Sequence, residues 1–507
     1  MPSGWDDAQL QSAEPVEALI YQARLVGEQE TLVLWGGGNN SLKVQATDYA
    51  GRCVRAMFIK GSGSDMKTAQ RRDFPAVRLE ELLRLFDRDD MSDDEMVRYV
   101  RHTLLEPDAP RPSIETLLHA FIPAPAVLHT HADAILMLTN TRGREETVRA
   151  CFGERLICIP YVRPGFKLAK MVGVAVRERL QAEGLVLMNH GLVTWGETLR
   201  EAYERHIALV QEAEAFVARM LARAGCSTPL DSQADQDVTE RRRRAALIAP
   251  LLRGLLSAPQ RVVLRFDDSP EVLAFLARMD AHTLAQAGAA TPDHMLSIKR
   301  APLWLPQPPR WDDTAVLREH IRTHLDAYST DCRRRFQAYY DPALLPKTLA
   351  NMVSDLPRVI LMPGIGMWTS GRDARAATIA ADIYRHTIAI MCGAQALGGY
   401  VSLDERDAFH AEYWPLELYK LSLLPPEREL SRRVALVTGA GSGIGEATAL
   451  RLAAEGAHVA VTDINWEAAC RVAERITQRD GAGRAIALRL DVTNESEVEE
   501  AFQRVCL

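Results

Sequence analysis

Short apolar runs of strand length recur along the chain: TLVLWG, PAVLHTHA, LVLMNHG, QRVVLRF, RVILMPG, RVALVTG, HVAVTD and AIALRLDV. Between them lie stretches whose apolar residues return every three to four positions, the period of a helix with one buried face. ETLREAYERHIALVQEAEAFVARMLARAG is a long example. Strands alternating with helices predict α/β architecture in every part of the chain. Three stretches interrupt the pattern: GCSTPLDSQADQDVTERRRR (225–244), APLWLPQPPRW and LLPPERELSRR. The first and last divide the sequence into parts near 1–240, 245–428 and 432–507, the second interrupts the middle part, and no repeat of fixed period is visible.

Length and composition agree with several soluble domains. At 507 residues the chain exceeds one ordinary core. With 47% hydrophobic and 25% charged residues it is neither disordered nor fibrous. A net charge of -7 argues against a general nucleic-acid binder, and Arg241 to Arg244 read as a solvated helix start or linker. The N-terminus carries no secretion signal, and no run has the ~18 apolar residues a membrane span needs. The expected location is cytoplasmic, with no membrane partner. Eight scattered cysteines without a CxxC pair suit a reducing compartment.

Candidate chemistry concentrates in the first part. In PAVLHTHA, period-two alternation puts His129 and His131 on one strand face, about 6.6 Å apart along it and able to converge on one ion. His190 ends the run LVLMNHG and is a third candidate. Three imidazoles with one open position are the stoichiometry of catalytic zinc. The same residues also fit packed core histidines, since His-x-His is a short pattern. Glu115, in RPSIETLLHAF, could shuttle a proton beside a Lewis acid; it equally fits the start of a helix, where a carboxylate offsets the dipole.

Taken in order, GGGNNS (with Gly38, Asn39 and Ser41), IKGSGSDM, SIETLLHA, VLHTHADA and NHGLVTWG resemble the class II aldolase/adducin family over roughly the first 235 residues. That resemblance implies an α/β/α domain with His129, His131 and His190 as ligands of Zn²⁺ or another divalent metal and Glu115 as catalytic acid/base. It also implies that the loops carrying Asn39 and Gly61 hold the phosphate end of a sugar phosphate, in a site commonly built between subunits of a homo-oligomer. Many members carry two serines before the glutamate; here Ser113 is followed by Ile114, which shifts phosphate recognition toward GGGNNS, Lys60 and Ser62. Epimerases and aldolases of unphosphorylated sugars share these features, and adducin-type members lack the ligands and catalysis altogether.

The part 245–428 shows α/β alternation but no nucleophile, metal cluster or phosphate loop. ATPDHMLSIKRAPLW and AEYWPLELYKLSL are unusual in composition, and their His, Tyr and Trp residues read as packing. These stretches resemble the region joining the two halves of bifunctional rhamnulose-1-phosphate aldolase/short-chain dehydrogenase proteins. In such proteins the aldolase yields dihydroxyacetone phosphate and lactaldehyde, and the dehydrogenase acts on the lactaldehyde.

From Val434 the order is strand, glycine turn, helix. Thr438, Gly439, Ser442, Gly443, Ile444 and Gly445 form a T-G-x-x-x-G-x-G turn that lets a pyrophosphate approach the backbone at a helix N-terminus. Asp463 follows about 20 residues later, the spacing of a carboxylate that bonds a ribose 2′-hydroxyl, which favours NAD over NADP. The turn resembles that of short-chain dehydrogenases, with Asp491 and Val492 matching residues that flank the adenine. The Tyr-x-x-x-Lys pair of that family is not found after Asp491. The expectation is a partial Rossmann fold, an incomplete NAD site and no hydride transfer.

Overall fold

The computed structural model describes residues 4–10, 13–48, 50–223, 238–258 and 260–507. The polar break at 225–237 lies outside them. Two compact units result, and they do not follow chain order. One contains residues 1–227, 289–293 and 389–420; the other contains 228–288, 294–388 and 421–507. Two short pieces of the middle part thus belong with the first. Among the described residues no helix is long and apolar enough to cross a membrane.

The first unit is built on a seven-stranded sheet ordered β3-β2-β1-β4-β7-β6-β5. Its strands are β1 (Asn39–Thr47), β2 (Cys53–Ile59), β3 (Ala76–Arg78), β4 (Ala126–Thr130), β5 (Leu156–Ile159), β6 (Gly184–Leu187) and β7 (Gly191–Gly196). Only β5 and β6 run parallel among the adjacent pairs. Alternation along β4 separates two cores. Ala126 and Leu128 pack with Leu19, Tyr203 and Val210 on one face, and Val127 packs with Leu118, Phe121 and Val172 on the other. Helices therefore cover both faces, an α/β/α sandwich. Thr130 follows the parity of Leu128 and hydrogen-bonds His206 of the helix Leu199–Arg223. His129 follows Val127 toward the helix Thr116–Phe121.

One strand expectation is corrected. TLVLWG is not extended: it buries Leu32 and Val33, then turns, with the Gly37 N–H donating to the Leu34 carbonyl and positive φ at Trp35 and Gly36. The strand begins at Asn39, so Asn39 and Ser41 sit on β1 rather than in the glycine loop before it. The apolar positions 42, 44 and 46 of LKVQAT carry its period of two.

The second unit holds two sheets. Its four-stranded sheet, ordered β8-β11-β10-β9, contains β8 (Val263–Asp267), β9 (Leu303–Trp304), β10 (Val359–Met362) and β11 (Gly366–Gly371). Its order and strand directions repeat β4-β7-β6-β5 of the first unit. The correspondence extends to single bonds. Asn189 and Gly364 occupy the same turn position, with φ of 58° and 73°. His190 N–H donates to Leu187 O at 3.0 Å, and Ile365 N–H to Met362 O at 3.1 Å. Thr194 Oγ1 donates to Ala202 O, and Thr369 Oγ1 to Ala377 O, eight residues on in both cases. By this register, Phe266, Asp268 and Ile365 stand where the first unit has His129, His131 and His190. The second copy has the hairpin without the imidazoles, and Asp268 is spent on Arg241 and Arg242.

The other sheet, β12 (Val434–Val437), β13 (His458–Asp463) and β14 (Ala485–Arg489), is parallel in the order β12-β13-β14. The helices Gly443–Ala454 and Trp466–Asp480 connect its strands, giving a partial Rossmann arrangement.

Gly191 sets the spacing of β7 against β4. A Cβ there would lie 2.1 Å from the Thr130 carbonyl oxygen and 3.0 Å from His129 Cε1. Gly191→Ala should destabilise the first unit by about 1–3 kcal/mol through forced backbone shift. Gly254→Ala, in open space within the helix Val238–Leu256, should instead stabilise by about 0.5–1 kcal/mol. Urea unfolding of the two variants checks the opposite signs.

Candidate active site

β4 and the β6–β7 turn deliver the three histidines to one point. His129 is the penultimate residue of β4, and His131 follows the strand. Asn189, with its left-handed backbone, turns the chain so that His190 faces them, and Arg144 Nη1 holds the Asn189 side chain at 2.7 Å. Asn tolerates this conformation better than most residues. The ring centroids stand 4.9–5.0 Å apart. One ring nitrogen from each lies within 4.8 Å of the others, and all three side chains are buried.

The donor chemistry fits a divalent metal. His129 Nδ1 faces the Leu192 carbonyl at 3.0 Å, which must take a proton from it, so Nε2 carries the lone pair. That Nε2 lies 3.1 Å from His131 Nε2. His190 Nδ1 and Glu115 Oε1 are buried without a hydrogen-bond partner. Burial lowers the His129 pKa despite the Glu115 charge, which keeps the ring a neutral donor. At His190 burial is the largest single influence and lowers the pKa, yet Asp293 and Glu115 together outweigh it and leave the pKa raised. Imidazole suits Zn²⁺ among the divalent ions.

Glu115 precedes the helix Thr116–Phe121, and its side chain makes no cap bond to it. Its carboxylate turns to the histidines, 3.6 Å from His129 Nε2 and 3.7 Å from His190 Nε2. Asn39 stands opposite His129 across β1 and β4, and its Nδ2 donates to Glu115 Oε2 at 2.7 Å. Ser113 Oγ accepts from the Glu115 N–H at 3.2 Å and from Asn39 at 3.3 Å. Asn39 and Ser113 therefore orient the carboxylate as well as lining the cavity.

That cavity is about 50 Å³ and is bordered by the glycine turns, Lys60, Glu115, His131 and His190. Lys60 donates to the Gly36 and Ser64 carbonyls. Burial, and then the Lys420 charge, lowers its pKa to about 8. Gly61 and Ser62 border the cavity too, but their N–H groups already donate to Asp73 and Arg111 carbonyls and are not free for an anion. Ser41 does not reach the cavity. It is fully buried with its Oγ 2.8 Å from His119 Nδ1, because it lies two residues along β1 from Asn39, opposite the core residue Val127.

Sequence reasoning missed Asp293, Trp414, Glu417 and Lys420, all of which border the same cavity. They come from ATPDH and AEYWPLELYK, the two stretches read as packing. Hydrogen bonds tie these stretches to the first unit. Asn140 Nδ2 donates to Ala290 O, Val401 N–H to Asn140 O, and Trp414 Nε1–H to Asp93 Oδ2, each at 2.7 Å. Lys420 pairs with Glu417 at 2.7 Å, and although burial lowers its pKa, Glu417 and Asp293 raise it further. Asp293 Oδ2 lies 3.3 Å from His190 Nε2 and 3.4 Å from His131 Nε2.

At the nucleotide turn, Gly439 and Gly443 take φ of 60° and 57° and the helix begins at Gly443. A Cβ on Gly445 would lie 2.1 Å from the Gly439 carbonyl, so the close return of the loop requires glycine. Thr438 and Ser442 are exposed in the loop, as is Ile444. Asp463 ends β13 and accepts the Gly441 N–H at 2.9 Å, which brings the carboxylate to the turn. Asp491 follows β14 and accepts from Thr493, and Val492 is exposed beside it.

Comparison with known proteins finds three family matches along the chain. Residues 17–217 match the class II aldolase and adducin N-terminal domain, 243–421 the second domain of class II aldolase, and 433–506 the short chain dehydrogenase. An uncharacterized oxidoreductase of Bacillus subtilis, YuxG, is 41% identical over 506 residues, 99% of this chain and 72% of the relative. The 7alpha-hydroxysteroid dehydrogenase of Escherichia coli is 45% identical over 69 residues, 14% of this chain and 26% of that enzyme. A solved N-terminal class II aldolase domain from Thermoplasma acidophilum is 39% identical, covering 43% of this chain and 99% of its own, with a TM-score of 0.40. The chain belongs to the family in which class II aldolase domains are joined to a C-terminal short-chain dehydrogenase domain.

Proposed function

We propose that the first unit is a divalent-metal-dependent aldolase that cleaves a ketose 1-phosphate, with rhamnulose 1-phosphate, giving dihydroxyacetone phosphate and lactaldehyde, as the substrate suggested by the sequence resemblance. The observation that carries this reading is the convergence of three buried histidines on the oriented carboxylate of Glu115. His129, His131 and His190 would hold the ion. When bound, it would polarise the ketose carbonyl and offset the negative charge left as the carbon–carbon bond breaks.

The chain's own groups divide the remaining work. Asn39 occupies Glu115 Oε2, leaving Oε1 to move a proton to or from the substrate. Ser113, Lys60 and Lys420 offer donors and positive charge to an anionic terminus. In the third part, Asp463 beside the glycine turn supports NAD, since a carboxylate there repels a 2′-phosphate.

A second reading has its own observation. Ile114 borders the cavity where a second hydroxyl would assist a phosphate, which suits an epimerase or an aldolase of an unphosphorylated sugar. A panel of ketoses with and without phosphate separates these readings.

Chelation or His131→Ala should abolish cleavage, assayed as aldehyde release. Full activity in metal-free protein would refute metal dependence. Glu115→Gln should lower kcat by about 10²–10⁴ while metal content stays stoichiometric.

Lys60 also predicts a pH profile. Its cation is faced by Lys420, Asp65, Asp293 and Asp73, and with a pKa of about 8 it is charged below that pH and neutral above it. KM for a phosphorylated substrate should therefore rise as pH passes upward through about 8. Lys60→Met should raise KM at pH 7 and flatten the profile; an unchanged inflection in that variant would assign it to another group.

A further inference from the structure

Asp293 is distant in sequence from the three histidines and lies in the stretch 243–421 that matches the second aldolase domain, yet it belongs to the first compact unit. Its neighbours Ala289 and Ala290 accept hydrogen bonds from Ser402 Oγ and Asn140 Nδ2, which fixes the approach of the segment. The side chain reaches the imidazoles. Its Oδ2 has no hydrogen-bond partner, lying 3.3 Å from His190 Nε2 and 3.4 Å from His131 Nε2.

These distances have a specific meaning. Four donors each about 2.0–2.1 Å from one tetrahedral ion stand about 3.3–3.4 Å apart. Three of the six donor pairs stand near this distance, His129–His131 at 3.1 Å, Asp293–His190 at 3.3 Å and Asp293–His131 at 3.4 Å, so Asp293 closes on two of the three mutually close imidazoles. Glu115 is the competing carboxylate, but it stands farther away, at 3.6 and 3.7 Å, and Asn39 holds one of its oxygens. The two carboxylates also touch different histidine pairs, Glu115 with His129 and His190, Asp293 with His131 and His190. The aspartate is thus set apart from the proton-moving position.

We propose that Asp293 is the fourth protein donor to the ion held by His129, His131 and His190. The resting site is then a closed three-histidine, one-carboxylate site rather than an open three-histidine site. On the aldolase reading, on which this inference rests for its metal, substrate oxygens take the place of the carboxylate. The segment around residue 293 therefore controls both retention of the ion and access to it.

The test measures metal binding in the full chain, independent of any assay of cleavage. Zinc affinity is read by competition with a chromophoric chelator, and ligand number by the visible absorption of the Co²⁺-loaded protein. Asp293→Asn and Asp293→Ala should weaken zinc by about tenfold or more and change the Co²⁺ spectrum. Asp293→Cys supplies a thiolate donor instead and should keep tight binding, with a new sulfur-to-cobalt charge-transfer band. Its retention of zinc also shows that the segment still folds to the site. A carboxylate serving only as a counter-ion of His190 gives the reverse: removing it eases loss of the competing proton and leaves zinc equal or tighter. That result, or an unchanged Co²⁺ spectrum, overturns the proposal. Wild-type chain without stoichiometric zinc overturns the metal reading itself, whereas tight zinc with no cleavage overturns only the assigned reaction.

Discussion

Burying three imidazoles against two carboxylates is the constraint around which the first unit is arranged. Polar rings out of water are costly unless each nitrogen has a defined role. The fold fixes part of this set and leaves His190 Nδ1 without a hydrogen-bond partner. The Leu192 carbonyl fixes the tautomer of His129, Arg144 secures the turn residue Asn189 beside His190, and Asn39 holds Glu115. A second layer behind β4 repeats the logic. His206 is buried and bridges Thr130 and Thr194, and burial lowers its pKa to about 3, so it stays neutral beside the His129 ring. It can link the two strands without adding a charge beside the histidine cluster.

The degenerate copy in the second unit separates what the hairpin needs for folding from what the site needs for chemistry. The left-handed turn residue, the close-packed glycine after the turn and the threonine bond to the following helix occur in both units. Their repetition marks them as backbone requirements. The imidazoles differ. Phe266 and Ile365 fill the places of His129 and His190 with apolar bulk, and Phe266 packs against Trp368 with ring centroids 5.0 Å apart. The hairpin is therefore stable without a polar cluster, and the histidines of the first unit are not explained by folding alone.

How much was legible in the sequence follows the same line. Period-two alternation predicts His129 and His131 on one strand face; the two rings do meet, although β4 ends at Thr130 and His131 lies just past it. The ordered motifs correctly divided aldolase-type from dehydrogenase-type parts, because each motif is contiguous. Strand β1 was hidden behind its glycine loop, and TLVLWG looked extended because apolar content does not reveal the positive φ at Trp35 and Gly36. The copied hairpin escaped notice for a related reason: LVLMNHGLVTWG and VILMPGIGMWTSG share spacing and turn geometry, but few side chains at the turn. Ser41 was misplaced because its motif was read as a loop in which every polar group could face a ligand. Once it is on a strand, Ser41 shares the face of Asn39 but lies farther along, opposite Val127 in the core, where His119 meets it.

Asp293, Trp414, Glu417 and Lys420 were out of reach for a different reason. Nothing local distinguishes an aspartate after a Thr-Pro pair, or a lysine on an amphipathic turn, from ordinary surface residues. Their role arises from tertiary placement, in which 289–293 and 389–420 leave the part that surrounds them in sequence and join the first unit. The cavity then draws on chain positions from Gly36 to Lys420. A site assembled from pieces so far apart exists only when the intervening chain has folded, because closing such loops has an entropic cost that final contacts must offset. With Asp293, Glu417 and Lys420 on these distant pieces, the charge lining of the cavity depends on completion of the tertiary fold.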